Sequence, residues 1–287
     1  MSTILSQRIQ GIVQITRMDK PIGTYLLLWP TYWALWVASE GFPSLHLLFV
    51  FTLGVFLMRS AGCVINDFAD RKVDGAVKRT NQRPLVTGLI TPEQAIVLFV
   101  CLLAAAFGLV TSLSLYTIKL SVVAVLLATL YPFMKRYTNL PQVVLGAAFS
   151  WGMIMAFAEV MGYIPLGAWF LFFANVTWTV AYDTMYAMVD RDDDLRIGVK
   201  STAILFGDND KKIIGLLQIV TLGLLFSAGE LFALGWPFHL SLIIAAGFFT
   251  YQQMLIANRD RQKCFQAFLN NHYVGMIIFI AILIEYF

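Results

Sequence analysis

Charge is what this chain has least of. Only 13% of its 287 residues are Asp, Glu, Lys or Arg, against ~25% in a typical soluble domain. With 59% hydrophobic residues, a soluble fold of this size could not cover its apolar surface. The composition therefore predicts an all-α polytopic protein whose first partner is the lipid bilayer. Cysteine is scarce as well. Cys63, Cys101 and Cys264 form no CxxC pair, which argues against a disulfide framework and a zinc site, and each reads as a small packing residue. The three histidines, His46, His239 and His272, neighbour no acidic cluster and read as interfacial. Nothing in this composition calls for a nucleic-acid partner, and no cleavable signal peptide or low-complexity segment is visible.

What the chain does have is long apolar runs. A spanning helix needs roughly 20 mostly apolar residues. Nine candidates occur, at 21–38, 46–65, 94–112, 115–133, 142–160, 166–189, 212–233, 237–256 and 272–287. Residues 1–19 precede them. Drawn as a helix, that segment places Ile4, Leu5, Ile9, Ile12, Val13 and Ile15 on one half and Ser6, Gln7, Gln10, Gln14 and Arg17 on the other, with Arg8 as the exception. This predicts an interfacial helix leading into the membrane, ahead of a single transmembrane domain spanning 1–287.

The basic residues are unevenly distributed. Apart from Arg59 and Lys119, every Lys and Arg falls in the N-terminal segment or in the loops after the second, fourth, sixth and eighth runs. The positive-inside rule then places the N-terminus in the cytoplasm and the C-terminus on the far side, which requires an odd number of spans. The aspartates lie on or near the basic side, whereas Glu40, Glu159, Glu230 and Glu285 lie near the other face. Function is therefore expected at the cytoplasmic face of a central cavity.

Two acidic clusters end apolar runs there. The first is NDFADRKVDG, residues 66–75. At roughly 100° per residue, Arg59, Asn66, Asp70 and Asp74 would share one helical stripe, with Asp67 at its margin. The second is YDTMYAMVDRDDDLRIG, residues 182–198. Here Asp183, Asp190 and Asp194 share a stripe with Tyr186 near its edge, Asp192 points away and Asp193 lies on the flank. A solvated helix end can also be rich in aspartate. However, acids near a helix C-terminus oppose the macrodipole, and carboxylates at i, i+4 repel one another. Membrane-edge acids usually mark function. A divalent cation removes the repulsion, and Mg2+ is commonly held by one or two carboxylates together with substrate phosphates. Two carboxylate stripes meeting a diphosphate through Mg2+ is the simplest reading.

The adjoining loops are basic. Lys78, Arg79 and Arg83 follow the first cluster, and Arg191, Arg196 and Lys200 accompany the second. Guanidinium groups suit phosphate oxygens. YPFMKR, residues 131–136, brings Tyr131, Lys135 and Arg136 to the same layer, and TPEQ, residues 91–94, has the form of a capping box that starts a helix. Arg59 is expected to find its partner within the first stripe.

Asn66-Asp67-x-x-Asp70-x-x-x-Asp74 and Asp190-x-x-x-Asp194 resemble the NDxxDxxxD and DxxxD motifs of the UbiA superfamily of intramembrane prenyltransferases. The likeness covers nearly the whole chain. NDFADRKVDGAVKRTNQRPL and YDTMYAMVDRDDDLRIGVKST look most like the branch that prenylates 4-hydroxybenzoate in bacterial ubiquinone biosynthesis, in the inner membrane. The resemblance implies that Asp70, Asp74, Asp190 and Asp194 bind Mg2+ with Asn66 assisting. A polyprenyl diphosphate is held there, and Arg79, Arg83 and Lys135 neutralise the leaving diphosphate. It further implies that Arg59 or Arg136 grips the carboxylate of 4-hydroxybenzoate and that Asp183 orients the acceptor or helps it lose a proton. Asp67, Tyr131 and Lys200 complete the expected substrate-binding set.

Three other readings compete. Another aromatic or quinone-precursor acceptor would fit the same motifs. A CDP-alcohol phosphotransferase would need aspartates where Pro92 and Ile96 stand. An ion-coupled transporter would place its acids near the midplane, at broken helices, rather than at one basic edge.

Overall fold

The computed structural model describes residues 2–287, with side chains from residue 7 onward. Met1 and the side chains of residues 2–6 lie outside the described residues, and with them the expected placement of Ile4, Leu5 and Ser6. The helices are α1 (Ser2–Ile15), α2 (Ile22–Ala38), α3 (Leu45–Asp70), α4 (Pro84–Thr87), α5 (Pro92–Val110), α6 (Leu115–Met134), α7 (Pro141–Met161), α8 (Leu166–Ile197), α9 (Thr202–Phe206), α10 (Asp210–Leu231), α11 (Trp236–Ile256) and α12 (Arg261–Glu285). No strand occurs among the described residues. Each of the nine apolar runs lies largely within one long helix. Seven segments are long and apolar enough to cross a membrane by length and composition. The other two long helices are α2, which has 17 residues, and α8, whose interior carries Asn175 and Asp183.

The long helices close a ring. α3 packs on α5 and α6, and α6 on α7. The contacts continue through α8, α10, α11 and α12 to α2, which returns to α3, while α2 also meets α7 across the bundle. The apolar core sits where α2, α8 and α12 converge. The rings of Trp33 and Trp178 stack with centroids 5.7 Å apart. Trp33 Nε1 donates to the Gly275 carbonyl at 3.0 Å and Trp178 Nε1 to Asn271 Oδ1 at 2.8 Å. Gly275 has to be small, because a Cβ there would stand 2.8 Å from Trp29 Cδ1. In lipid a buried indole N–H needs a protein partner, and α12 supplies both.

Three boundaries differ from the sequence reading. α12 begins at Arg261 rather than at 272. Its first turns carry Gln266, Asn270 and Asn271, whose polarity hid the helix. Asn271 bonds Trp178, and Asn270 accepts from Gln252 at 2.9 Å, so partners on neighbouring helices satisfy these amides. α3 and α8 both run further toward the basic end than their apolar runs, to Asp70 and Ile197. The capping box at Thr91 is present. Thr91 Oγ1 accepts from Gln94 N at 3.3 Å, and Gln94 Oε1 accepts from Thr91 N at 3.0 Å.

The expected single stripe on α3 stops short. Asn66, Asp67 and Asp70 are on the helix, but Asp74 begins a separate 3-10 turn, Asp74–Ala76. The chain reverses at Arg71, where Val73 N bonds the Asp70 carbonyl at 2.8 Å. Acids at a helix C-terminus oppose its dipole, and Gly75 lowers the cost of leaving the helix.

Candidate active site at the basic end of the bundle

The α3 acids are buried and paired. Asp67, placed by sequence at the margin of its stripe, is only 1% exposed and holds two arginines. Arg17 Nη2 donates to its two oxygens at 2.8 and 2.9 Å, and Arg83 Nη1 stands 3.1 Å from Oδ1. Arg83 also donates to Asp74 Oδ2 at 2.7 Å, so it spans both acids. Burial works against the Arg83 charge, but Asp67 and Asp74 outweigh it and hold its pKa above the ordinary value. Asp74 is fixed further by Thr80, whose hydroxyl donates to its carbonyl at 2.8 Å. Lys135, at the C-terminal cap of α6, donates to Asp70 Oδ2.

The α8 acids lie across the cavity on one continuous helix. Arg79 reaches them from the loop after α3. Its Nε donates to Asp190 Oδ1 and Oδ2 at 3.1 and 3.0 Å, and its Nη1 to the Tyr186 hydroxyl. Burial tends to lower the Arg79 pKa, but Tyr186 and Asp190 together raise it. Asp192, expected on the opposite side of the helix, and Asp193, expected on its flank, line neither cavity and pair with Arg261 at 3.1 and 3.2 Å.

Two cavities meet between these elements. A polar one of about 140 Å³ is lined by Asp70, Asp74, Asp190 and Asp194, with Lys135, Lys200 and Ser201 among its walls. A second, of about 900 Å³, runs along α3, α6 and α7 past apolar side chains such as Phe51, Leu113, Phe149 and Met155. Asn66, Arg79, Arg83, Tyr131, Asp183 and Tyr186 line both. The result is a lipid-like chamber that opens onto an ionic one.

Whether the polar cavity suits a divalent cation can be judged from its donors. All are oxygens, the ligands that hard cations take. Asp70 Oδ1 is buried without a partner, an acceptor left available. Among the described residues no three acidic, histidine or cysteine side chains converge on one point. That is a poor cage for a resident ion but fits one that substrate phosphates complete.

Two expected residues take other positions. Arg59 finds no carboxylate among the described residues. Its Nη1 donates to Cys63 Sγ and its Nε is buried without a partner. Cys63 is therefore more than the packing residue expected. Its place one helical turn after Arg59 was the sequence signal for the contact. Arg136 lines neither cavity. Just past the end of α6 it turns outward, donates to the Ala69 carbonyl and lies 5.5 Å from the Phe133 ring centre. An arginine on the last carbonyls of a helix is a C-terminal cap, here one residue before Asp70.

Sequence reasoning overlooked Arg17 and Ser201. Arg17, expected on the polar half of the N-terminal helix and among the cytoplasmic positive charges, lies beyond the end of α1 with φ 58° and ties that segment to Asp67. The Ser201 hydroxyl is buried without a partner beside the polar cavity, and no local pattern marked it.

A model of the UbiA prenyltransferase family matches residues 27–282. The chain is 67% identical over 282 residues to a 4-hydroxybenzoate octaprenyltransferase of Colwellia psychrerythraea, with 98% of each chain covered. It is 57% identical over 287 residues to the protein of the same name from Klebsiella pneumoniae, with 100% of both covered. Among solved structures, an apo UbiA homolog from Aeropyrum pernix K1 superposes with a TM-score of 0.81 at 24% identity, covering 91% of this chain and 97% of that one. A UbiA homolog from Archaeoglobus fulgidus, bound to GPP and Mg2+, gives 0.70 at 17% identity, with 95% and 99% covered.

Proposed function

The chain belongs to the UbiA prenyltransferase family, and on that premise we propose that it transfers a polyprenyl group from polyprenyl diphosphate to 4-hydroxybenzoate. The bond forms at the ring carbon ortho to the hydroxyl, as a step toward ubiquinone. One observation carries this reading: the polar and the apolar cavity share six lining residues, so one molecule can place an ionic head in the first and a hydrocarbon tail in the second.

In this reading Asp70, Asp74, Asp190 and Asp194 would hold Mg2+, with Asn66 assisting. When bound, the ion supplies positive charge to the departing diphosphate. Arg79, Arg83 and Lys135 turn from their carboxylates toward the phosphate oxygens and stabilise the same developing charge. Lys200 adds a further cation to the wall. The allylic C–O bond breaks and its electron pair leaves with the diphosphate. Tyr131 and Tyr186, on both cavities, offer π faces to the resulting carbocation. The ring carbon of the acceptor forms the new C–C bond and then loses its proton. Asp183, also on both cavities, orients the acceptor and receives that proton. Arg59, on the large cavity without a carboxylate partner, takes the benzoate carboxylate. Arg136 supports the site from outside by capping α3 next to Asp70, and Asp67 braces it through Arg17.

The same reading takes 1–287 as one domain with residues 1–19 lying along the interface. The protein sits in the bacterial inner membrane with its N-terminus and polar cavity facing the cytoplasm. The deciding experiment incubates the purified protein in detergent with a polyprenyl diphosphate, radiolabelled 4-hydroxybenzoate and Mg2+. Lipid-extractable label is expected with no membrane gradient present. A protein that formed no product across a panel of prenyl lengths and phenolic acceptors, yet moved an ion in vesicles, would be a transporter instead.

A further inference from the structure

Arg59 is held in place by a side chain that is missing. It lies seven residues before Asn66 on α3, about 10 Å further from the basic end, and its guanidinium lines the large cavity. Opposite it α2 presents Gly23. A Cβ at Gly23 would stand 2.3 Å from Arg59 Nη2, 2.5 Å from Nε and 2.7 Å from Cζ. No real Cβ tolerates such contacts, so any other residue at position 23 must push the guanidinium aside. On the same helix, Cys63 Sγ accepts from Nη1. The planar head is thus seated between a bare stretch of α2 backbone and a sulfur acceptor. Gly23 and Cys63 are both buried.

The chemistry of the seat is unusual. A half-buried cation inside an apolar bundle is normally neutralised by a carboxylate, and here the fixed partner of Arg59 is a thiol, a weak acceptor, while its Nε is buried without a partner. A carboxylate at Cys63 would neutralise Arg59 permanently. A larger residue at Gly23 would point its fork elsewhere. A guanidinium recognises a carboxylate through a planar, directional pair, so its orientation decides whether the pair forms. We propose that Gly23 and Cys63 are positioning residues that hold Arg59, uncompensated and correctly aimed, for an anionic acceptor. They thereby set the preference of this cavity for a phenol bearing a carboxylate over its neutral isostere. The inference rests on the reading of this cavity as the 4-hydroxybenzoate site.

The test uses the full-length purified enzyme with two acceptors, 4-hydroxybenzoate and the uncharged 4-hydroxybenzamide, at saturating polyprenyl diphosphate. Gly23→Ala is expected to raise KM for the acid about tenfold and to cut the acid-to-amide ratio of kcat/KM by a similar factor, with the polyprenyl diphosphate KM changed by less than about twofold. Cys63→Val should lower the same ratio, and Cys63→Ser, which restores an acceptor, should recover it in part. A purely structural role would instead lower both acceptors together, and equal losses or no change in either variant would overturn the inference. The Cys63 pair decides the matter if Gly23→Ala fails to fold. Arg59→Gln separates the two levels. A collapse of the ratio in Arg59→Gln alone leaves the acceptor site standing and removes only the seat. An unchanged ratio in Arg59→Gln removes the acceptor assignment itself.

Discussion

Arg79 and Asp190 are 111 residues apart in sequence, and the Arg79 Nε bonds both oxygens of the Asp190 carboxylate. This contact joins the loop of the first acidic motif to the helix of the second across the polar cavity. Arg79→Ala would leave a buried acid unpaired. Because the guanidinium side chain is about one third exposed, the loss of stability should be only about 1–3 kcal/mol, read as a lower Tm in detergent. The turnover number should fall by roughly 100-fold. Arg79→Lys should lie between, since it keeps the charge without the fork.

Asp70 and Asp190 should respond in the same way for a different reason. Asp70→Ala or Asp190→Ala is expected to abolish metal-dependent prenyl transfer while the protein still folds. Chelation of wild type should stop turnover, and added Mg2+ should restore it. Full activity in either variant would dismiss the metal assignment.

Asp67 should behave as a brace more than as a ligand. Its carboxylate holds Arg17 and Arg83 at once, and both side chains are mostly buried. Asp67→Ala should cost about 3–5 kcal/mol, the scale of a broken buried pair. It should also expose the chain near Arg17 to limited proteolysis. A variant with wild-type Tm and cleavage pattern would show that the arginines need no such anchor.

Asn271 offers a contrast away from the site. It accepts from Trp178 and donates to the Ala267 carbonyl at 2.9 Å. Asn271→Leu should cost about 1–3 kcal/mol, the scale of leaving the buried indole N–H of Trp178 without an acceptor, and leave both substrate KM values unchanged. A shift in either KM would mean that the core and the cavity are coupled.

What could be read from sequence was what repeats along one helix. Asp183, Asp190 and Asp194 keep their predicted face because α8 is unbroken, and Thr91 caps α5 because a capping box needs only four residues. The relations that escaped depend on the chain turning back. Asp74 left its stripe at the reversal after Asp70, Arg136 turned outward just beyond the cap of α6, and Arg17 reached Asp67 from 50 residues away. Arg59 was singled out as a cation within an apolar run, and Cys63 one turn on was within reach of the same pattern, but Gly23 was not, because a glycine on another helix leaves no trace in the local sequence.

Three of the five acids lining the polar cavity already carry a basic partner: Lys135 on Asp70, Arg83 on Asp74 and Arg79 on Asp190. The ledge is close to electroneutral before anything arrives. A diphosphate alone would draw the bases off and strip the acids of their counterions, and a dication alone would do the reverse to the bases. Arriving together, the two exchange partners with the protein and leave the balance intact. Anion and dication should therefore bind cooperatively, each raising the affinity for the other by the same factor.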